Sequence, residues 1–161
     1  MQTKDLVLGI DIGGSTTSFG FVDREGALIL RETIPTVAQE PADAFVTRLC
    51  SSIESARTNL GIAYHWQGIG IGAPNAHHGR GTVERPPNLN WGEVVDLAGL
   101  IRRRYPMPVS VTNDANAAAL GEMFFGKAQG MKHFIVLTIG TGLGSGIVVD
   151  GRLVYGASGF A

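Results

Sequence analysis

The sequence holds a single cysteine, Cys50, in 161 residues. Within this chain that excludes a disulfide framework and any metal site built from cysteines. Cys50 falls on a helical stretch, where it reads as a small buried side chain. An excess of one charge is lacking too: 13 Lys and Arg stand against 14 Asp and Glu, a formal net charge of -1. With the signs scattered there is no basic footprint for nucleic acid and no polybasic patch for a membrane surface. The one local cluster, Arg102-Arg103-Arg104, closes a predicted helix, where cations complement the dipole. No apolar run approaches the roughly 20 residues of a membrane span, and Met-Gln-Thr-Lys-Asp leads directly into a strand rather than into a signal peptide. The expectation is a cytoplasmic protein with no nucleic-acid and no membrane partner. Aromatics are sparse at 7%, and glycine is what the chain has in excess, 23 residues, about twice the usual share of roughly 7%. At 44% apolar and 17% charged the rest is ordinary globular composition, so disorder is not expected.

The glycines gather at two places. From Leu6 to Asp23 an apolar run broken by Asp11 reaches Gly13-Gly14 and continues as a second strand. Glycines there are free to take positive φ and let the backbone approach a ligand with no Cβ in the way. The hydroxyls of Ser15, Thr16 and Thr17 and the amides of the turn could line an anion-binding concavity, and Asp11 could hold a hydrated cation beside it. An ordinary hairpin with a Gly-Gly turn would read the same way. From Phe134 the pattern returns: apolar strand, Gly140-Thr141-Gly142-Leu143-Gly144, second strand, and Asp150-Gly151. Laying Ile12-Gly13 on Ile139-Gly140 also lays Asp23 on Asp150, which predicts two segments of one design facing each other across a ligand.

Between them, residues 27–36 read as a third strand, and Pro41 opens a helix with Phe45, Leu49, Ile53 and Ala56 inward. The run from Gln67 to Ala73 is too apolar for a half-exposed strand and reads as a buried parallel one. Pro74 to Asn90, with Pro86, Pro87 and the adjacent His77 and His78, reads as a long surface loop whose histidines are solvated rather than metal ligands. Trp91 to Tyr105 is predicted as a helix with Val94, Val95, Leu97, Leu100 and Ile101 inward, and Met107 to Thr112 as a strand. Asn113-Asp114-Ala115-Asn116 then opens a helix over 117–125, and three strands follow. The order β, β, β, α, β, α, β, α before a restart of β, β, β predicts an α/β sheet with helices on both faces. Ligands on such sheets collect at strand carboxyl ends, where Asp11, Gly72 and Asp114 fall.

Asp11-Ile12-Gly13-Gly14, Gly72-Ala73-Pro74, Pro87-Asn88-Leu89-Asn90-Trp91, Asn113-Asp114-Ala115-Asn116 and Gly140-Thr141-Gly142-Leu143-Gly144, in this order, resemble the ROK family of sugar kinases and sugar-responsive repressors. The resemblance covers essentially the whole chain. It implies an α/β actin-like ATPase (ribonuclease H-like) lobe: a mixed sheet of three antiparallel strands followed by parallel βα units, plus the opening strands of a second lobe. By that resemblance residues 1–130 form the N-terminal lobe and 131–161 begin a second, truncated one. It also implies ATP-dependent phosphorylation of a hexose or amino sugar, glucokinase-like, with ATP and Mg²⁺ as cofactors, sugar and nucleotide as small-molecule partners, and a homo-oligomer, a dimer. The family's second lobe carries a Glu-x-Gly-His sugar motif and a Cys-rich zinc site, both of which would lie beyond Ala161. The chain alone is therefore expected to be inactive.

Carried onto this sequence, the resemblance puts Asp11, Gly13, Gly14, Ser15 and Thr16 near the nucleotide phosphates, with Asp11 reaching Mg²⁺ through water. Gly140, Thr141 and Gly142 become the other phosphate loop. Gly72, Asn88, Asn113 and Asp114 face the sugar, with Asp114 as the catalytic base. The chemistry agrees: phosphoryl transfer needs alignment, charge neutralisation and one proton acceptor, and a carboxylate in the first turn of a helix stays ionised. On position alone, Asn113 or Asp114 could equally be a helix N-cap. Ser18 stands where many kinases of the family carry Lys, and Ser145 where Gly is common, which leaves ATP or polyphosphate as donor open. The alternative is a non-catalytic sugar sensor like the family's repressors. Those usually begin with a helix-turn-helix, whereas this chain enters the sheet at once.

Overall fold

The computed structural model describes residues 3–140 and 142–160. In chain order the elements are β1 (Lys4–Ile12), β2 (Thr16–Val22), β3 (Leu28–Pro35), α1 (Ala42–Thr58), β4 (Tyr64–Gly72), β5 (Ala76–His77), β6 (Thr82–Glu84), β7 (Val94–Val95), α2 (Leu97–Arg102), β8 (Val109–Thr112), α3 (Asp114–Phe125), β9 (Phe134–Ile139), β10 (Leu143–Val149) and β11 (Arg152–Leu153). Five strands build one mixed sheet in the order β3-β2-β1-β4-β8, antiparallel on the β1, β2, β3 side and parallel from β1 through β4 to β8. No helix among the described residues is long and apolar enough to cross a membrane.

Period-two alternation divides this sheet into two unlike faces. On one face Leu8, Phe21 and Ile69 stand level with one another, as do Ile10, Phe19 and Ile71. They bury against Phe45, Leu49 and Ile53 of α1 and Leu97 and Ile101 of α2. Each large apolar side chain so withdrawn from water contributes roughly 1.5–3 kcal/mol. Phe21 is closed over by Tyr64 and Trp66, with ring centroids at 6.0 and 5.5 Å. The other face is nearly bare. Gly20, Gly9, Gly70 and Ser110 form one row across four strands, and Ser18, Asp11, Gly72 and Thr112 form the row above it. α3 packs on this second face. A Cβ at Gly72 would meet Ala117 Cβ at 3.3 Å, so the missing side chain is what brings the helix down onto β4.

Two stretches differ from the expected reading. Residues 74–95 are not an irregular loop: β5, β6 and β7 pair as a small antiparallel sheet. Asn75 at φ 51° and Arg85 at φ 44° turn its corners, and Asn75 Nδ2 donates to the Arg85 carbonyl at 3.0 Å. The helix expected from Trp91 shrinks to α2, because Gly92 sits at φ 77°, outside helical space, and Asp96 caps at the later position by accepting from Gly99 N at 2.8 Å. Val94 and Val95, expected on the inward helix face, lie in β7, with Val94 61% exposed. Cys50 is buried as expected.

β9, β10 and β11 form a separate antiparallel sheet with β10 central. It repeats the β1, β2, β3 hairpin order, and Asp150 (φ 52°) with Gly151 (φ 72°) makes its second turn. It rests on α3 through the smooth face of β10: a Cβ at Gly144 would lie 3.1 Å from Ala115 Cβ, and one at Gly146 would lie 2.5 Å from the Ala115 carbonyl oxygen.

Candidate functional site

Strand β1 ends at Ile12 after presenting Asp11 on the bare face, and β4 ends at Gly72 directly beside it. β8 ends at Thr112, one residue before the Asn113 that caps α3: Asn113 Oδ1 accepts from Ala115 N at 2.9 Å. Asp114 is the first helical residue, exposed, and its own Oδ1 takes the same Ala115 N–H at 2.8 Å. The point of closest convergence is Gly72. A Cβ there would be 3.5 Å from Asp114 Cα and 3.9 Å from Asp11 Oδ1. Asp11, Gly72 and Asp114 thus come together, as their strand-end positions implied.

Asp11 reaches solvent, yet the walls around it strip part of its hydration. That desolvation raises its pKa from the ordinary carboxylate range, with the Asp114 charge adding to the rise and Arg31 opposing it. Two carboxylates in one recess with a single opposing guanidinium make a region of negative potential, suited to a cation with its water shell. Among the described residues no three His, Cys, Asp or Glu side chains gather as a metal cluster. A divalent ion here would keep most of its waters, as Mg²⁺ does.

The first glycine turn lies next to this recess. Gly13 N donates to the Thr16 carbonyl at 3.0 Å, so that amide closes the hairpin and does not face a ligand. Gly14 carries the close approach: a Cβ would be 3.0 Å from Asn88 Cβ, which seats Asn88 beside the turn. Ser15 and Thr16 are exposed. Thr17 departs from expectation. Its hydroxyl turns inward to Thr36 Oγ1 at 2.6 Å, wholly buried, because Thr17 shares the face of Phe19 and Ile12. At the second turn nothing among the described residues stands within 4 Å of a Cβ built on Gly140 or Gly142, and Gly140 N donates to the Gly142 carbonyl at 3.0 Å. Thr141 lies outside the described residues. Because Gly144 presses on Ala115, the second turn is carried on the first turn of α3, next to Asp114.

A cleft of about 510 Å³ runs from Asp11 down the bare face, floored by Gly9, Gly20 and Gly70 and walled by Leu28, Ala117 and Leu120. Its glycine floor is a poor match for a polyol; Asp11, Ser18 and Thr112 stand at its upper end, with Arg31 and Ser110 level with the floor. Of three further lining residues, Arg31 and Thr112 carried no signal of their own in the sequence and Ser18 only a departure from the family pattern. Arg31 joins Asp11 as a charged group of the lining, Ser18 stands opposite Asp11 on β2, and Thr112 Oγ1 is buried with no hydrogen-bond partner among the described residues. Counting every second residue outward from Asp11 along the paired strands would have found the first two.

The sequence profile described as the ROK family matches residues 7–161. The chain belongs to the ROK family. The glucokinase of Streptomyces coelicolor is 38% identical over 157 residues, 97% of this chain and 47% of that protein. A xylose repressor of Caldicellulosiruptor bescii is 35% identical over 161 residues, 96% of this chain and 39% of the repressor. Among solved structures, a ROK family glucokinase from Streptomyces griseus in complex with glucose and AMPPNP superposes with a TM-score of 0.85 at 36% identity, over 97% of this chain and 48% of that one. The fold is that of the actin-like ATPases to which ROK sugar kinases belong, and the chain spans about half the length of the curated relatives it matches.

Proposed function

We propose that this ROK chain is the portion of an ATP-dependent hexose or amino-sugar kinase that carries the catalytic base and both phosphate-facing glycine turns. The observation that carries the reading is the placement of Asp114 over Gly72, across from Asp11, at the carboxyl ends of parallel strands. The glucokinase similarity and the neighbour holding glucose and AMPPNP support it. Residues 1–130 act as one lobe and residues from 131 onward open the second. The protein works in the cytoplasm.

In this reading the sugar lies at the upper end of the cleft among Gly72, Asn88, Asn113 and Asp114. Asn113 contributes mainly through its amide nitrogen, since its oxygen caps α3. The sugar hydroxyl oxygen bonds to the γ-phosphorus as the bond from that phosphorus to the ADP oxygen breaks, and Asp114 takes the hydroxyl proton. Ala115 N–H, donating to Asp114 Oδ1 at 2.8 Å, fixes the orientation of the carboxylate. Asp11, with Gly14, Ser15 and Thr16, faces the phosphates from one side, and the second glycine turn, with Gly140 and Gly142, faces them from the other. Mg²⁺, held through water by Asp11, would neutralise charge on the donor oxygens.

The test is an ADP-release assay with glucose, N-acetylmannosamine and fructose at saturating ATP. A chain extended to the length of its relatives turns over, whereas the 161 residues alone give background, because closure that excludes water needs both lobes. Failure of the extended protein with every sugar, alongside retained sugar binding, would instead favour the sensor reading that the xylose repressor similarity raises.

A further inference from the structure

His77 is half-buried and His78 is an exposed turn residue, yet each ring is held by specific partners that the sequence did not show. His78 Nδ1 lies 3.0 Å from the Val111 carbonyl; a carbonyl only accepts, so Nδ1 carries the proton. Its ring stacks on Tyr155, with centroids 5.0 Å apart and planes within 9°. His77 is fixed the opposite way. Its Nδ1 accepts from Arg80 N at 3.2 Å, which leaves the proton on Nε2, and its ring meets Phe160 edge-on at 5.4 Å and 88°. Gly159, at φ 82°, lies so close that a Cβ would strike His77 Nε2. Two neighbouring rings, each oriented by a backbone group that precedes β9, thus grip residues 155–160.

What they grip matters because the other attachment of the β9–β11 sheet is slippery. β10 meets α3 through Gly144 and Gly146 against Ala115 and Ala119. Such a contact allows close approach, and although Val148 is buried further along the same face of β10, the two glycines themselves offer no side chain to resist sliding or rotation. One smooth contact permits a pivot about α3, and a second, distant contact removes it. The second contact is built on β5, shortly after Gly72, and is tied to Val111, three residues before Asp114.

We propose that His77 and His78 are positioning residues, a two-ring latch that pins the segment after β11 to the end of β8 and so fixes the second glycine turn relative to Asp11 and Asp114. A stacked pair and an edge-on pair together hold the sheet yet are weak enough to release.

The test uses NMR on the unliganded chain, so it reads the latch whether or not the chain belongs to a kinase. Nitrogen-15 shifts of the imidazoles should show opposite tautomers, with ring-to-ring Overhauser contacts from His78 to Tyr155 and from His77 to Phe160. The Val154 amide, bonded to the Ile147 carbonyl at 2.8 Å, should exchange at least tenfold faster in His78→Ala and in Tyr155→Ala. In both, the Gly140 and Gly142 resonances should shift while the β1 amides stay within twofold of the parent. His78→Phe keeps the stack and should hold Val154 near the parent rate. Like tautomers, absent ring contacts, or an unchanged Val154 rate in Tyr155→Ala would overturn the proposal. If His78→Ala proves globally unstable, Tyr155→Ala, which changes a half-buried ring, decides.

Discussion

Asp11 and Asp114 face one another over Gly72, whose Cβ, if it existed, would stand 3.9 Å from the Asp11 carboxylate oxygen and 3.5 Å from Asp114 Cα. The gap between the two carboxylates is therefore set by an absent side chain. Strand β4 supplies it because the same alternation that buries Ile69 and Ile71 on one face leaves Gly68, Gly70 and Gly72 on the other.

Substituting Gly72 should separate fold from function. Gly72→Ala places a methyl 3.3 Å from Ala117 Cβ, a contact that α3 relieves by yielding a few tenths of an ångström. The expected stability loss is about 1 kcal/mol. Gly72→Val projects two further methyls toward the carboxylates and should abolish glucose binding by calorimetry while the far-ultraviolet circular dichroism stays that of the parent. Parent-like glucose affinity in the valine variant would move the sugar site elsewhere.

The raised pKa of Asp11 has a definite sign. A carboxylate whose folded pKa lies above its unfolded value binds a proton more tightly when folded, so its ionised form weakens the fold at neutral pH, and the penalty fades as pH drops through the folded pKa. Asp11→Asn should therefore melt higher at pH 7 by about 1–2 °C, small because solvent screens a carboxylate this open. The difference should vanish in acid. Equal melting temperatures at pH 7 would mean that Asp11 is not desolvated by its surroundings.

Much of this arrangement was legible in the sequence, and the reason is local. Phe45, Leu49, Ile53 and Ala56 keep helical spacing, the Gly and Ile of β4 keep a period of two, and the order of strands and helices follows from punctuation by Gly13-Gly14, Pro41 and Asn113. What was missed is set by single backbone angles or by distant partners. Gly92 at φ 77° stops a helix that the apolar periodicity of Val94 to Ile101 otherwise supports. Thr17 reads as a turn hydroxyl until Thr36, 19 residues on, appears beside it at 2.6 Å. His78 is the turn residue it reads as, but its partners Val111 and Tyr155 reach it only through the tertiary fold.

The outer face of β9 and β10 predicts self-association. Ile135, Leu137 and Ile139 alternate along β9 with exposures of 61, 60 and 83%, and Leu143 adds 75% on β10. A contiguous apolar strip of this kind is covered by partner surface in most proteins, and in this chain a second copy is the available cover. Sedimentation of the 161-residue chain at roughly tens of micromolar, a range in which such surfaces associate, should show a dimer or larger species. Leu137→Lys should return it to monomer without loss of fold. A parent chain that sediments as a monomer removes this face as a contact.

Asp114 admits the most decisive substitution, made in a sugar-phosphorylating form of the protein that extends to the length of its relatives. Asp114→Asn keeps the size of the side chain and an oxygen able to accept from Ala115 N, the contact now made at 2.8 Å. The cap itself belongs to Asn113, whose oxygen accepts from the same amide at 2.9 Å, so α3 should start where it does in the parent. What the substitution removes is the ability to accept a proton as the sugar oxygen bonds to phosphorus. If Asp114 is the base, kcat should fall by roughly 10²- to 10⁴-fold with the sugar KM changed far less, the pattern of an interaction made only in the transition state. A structural carboxylate would behave otherwise: kcat would stay near the parent value and any defect would appear as a lower melting temperature. That outcome would take Asp114 out of the chemistry and assign the proton acceptor to another group.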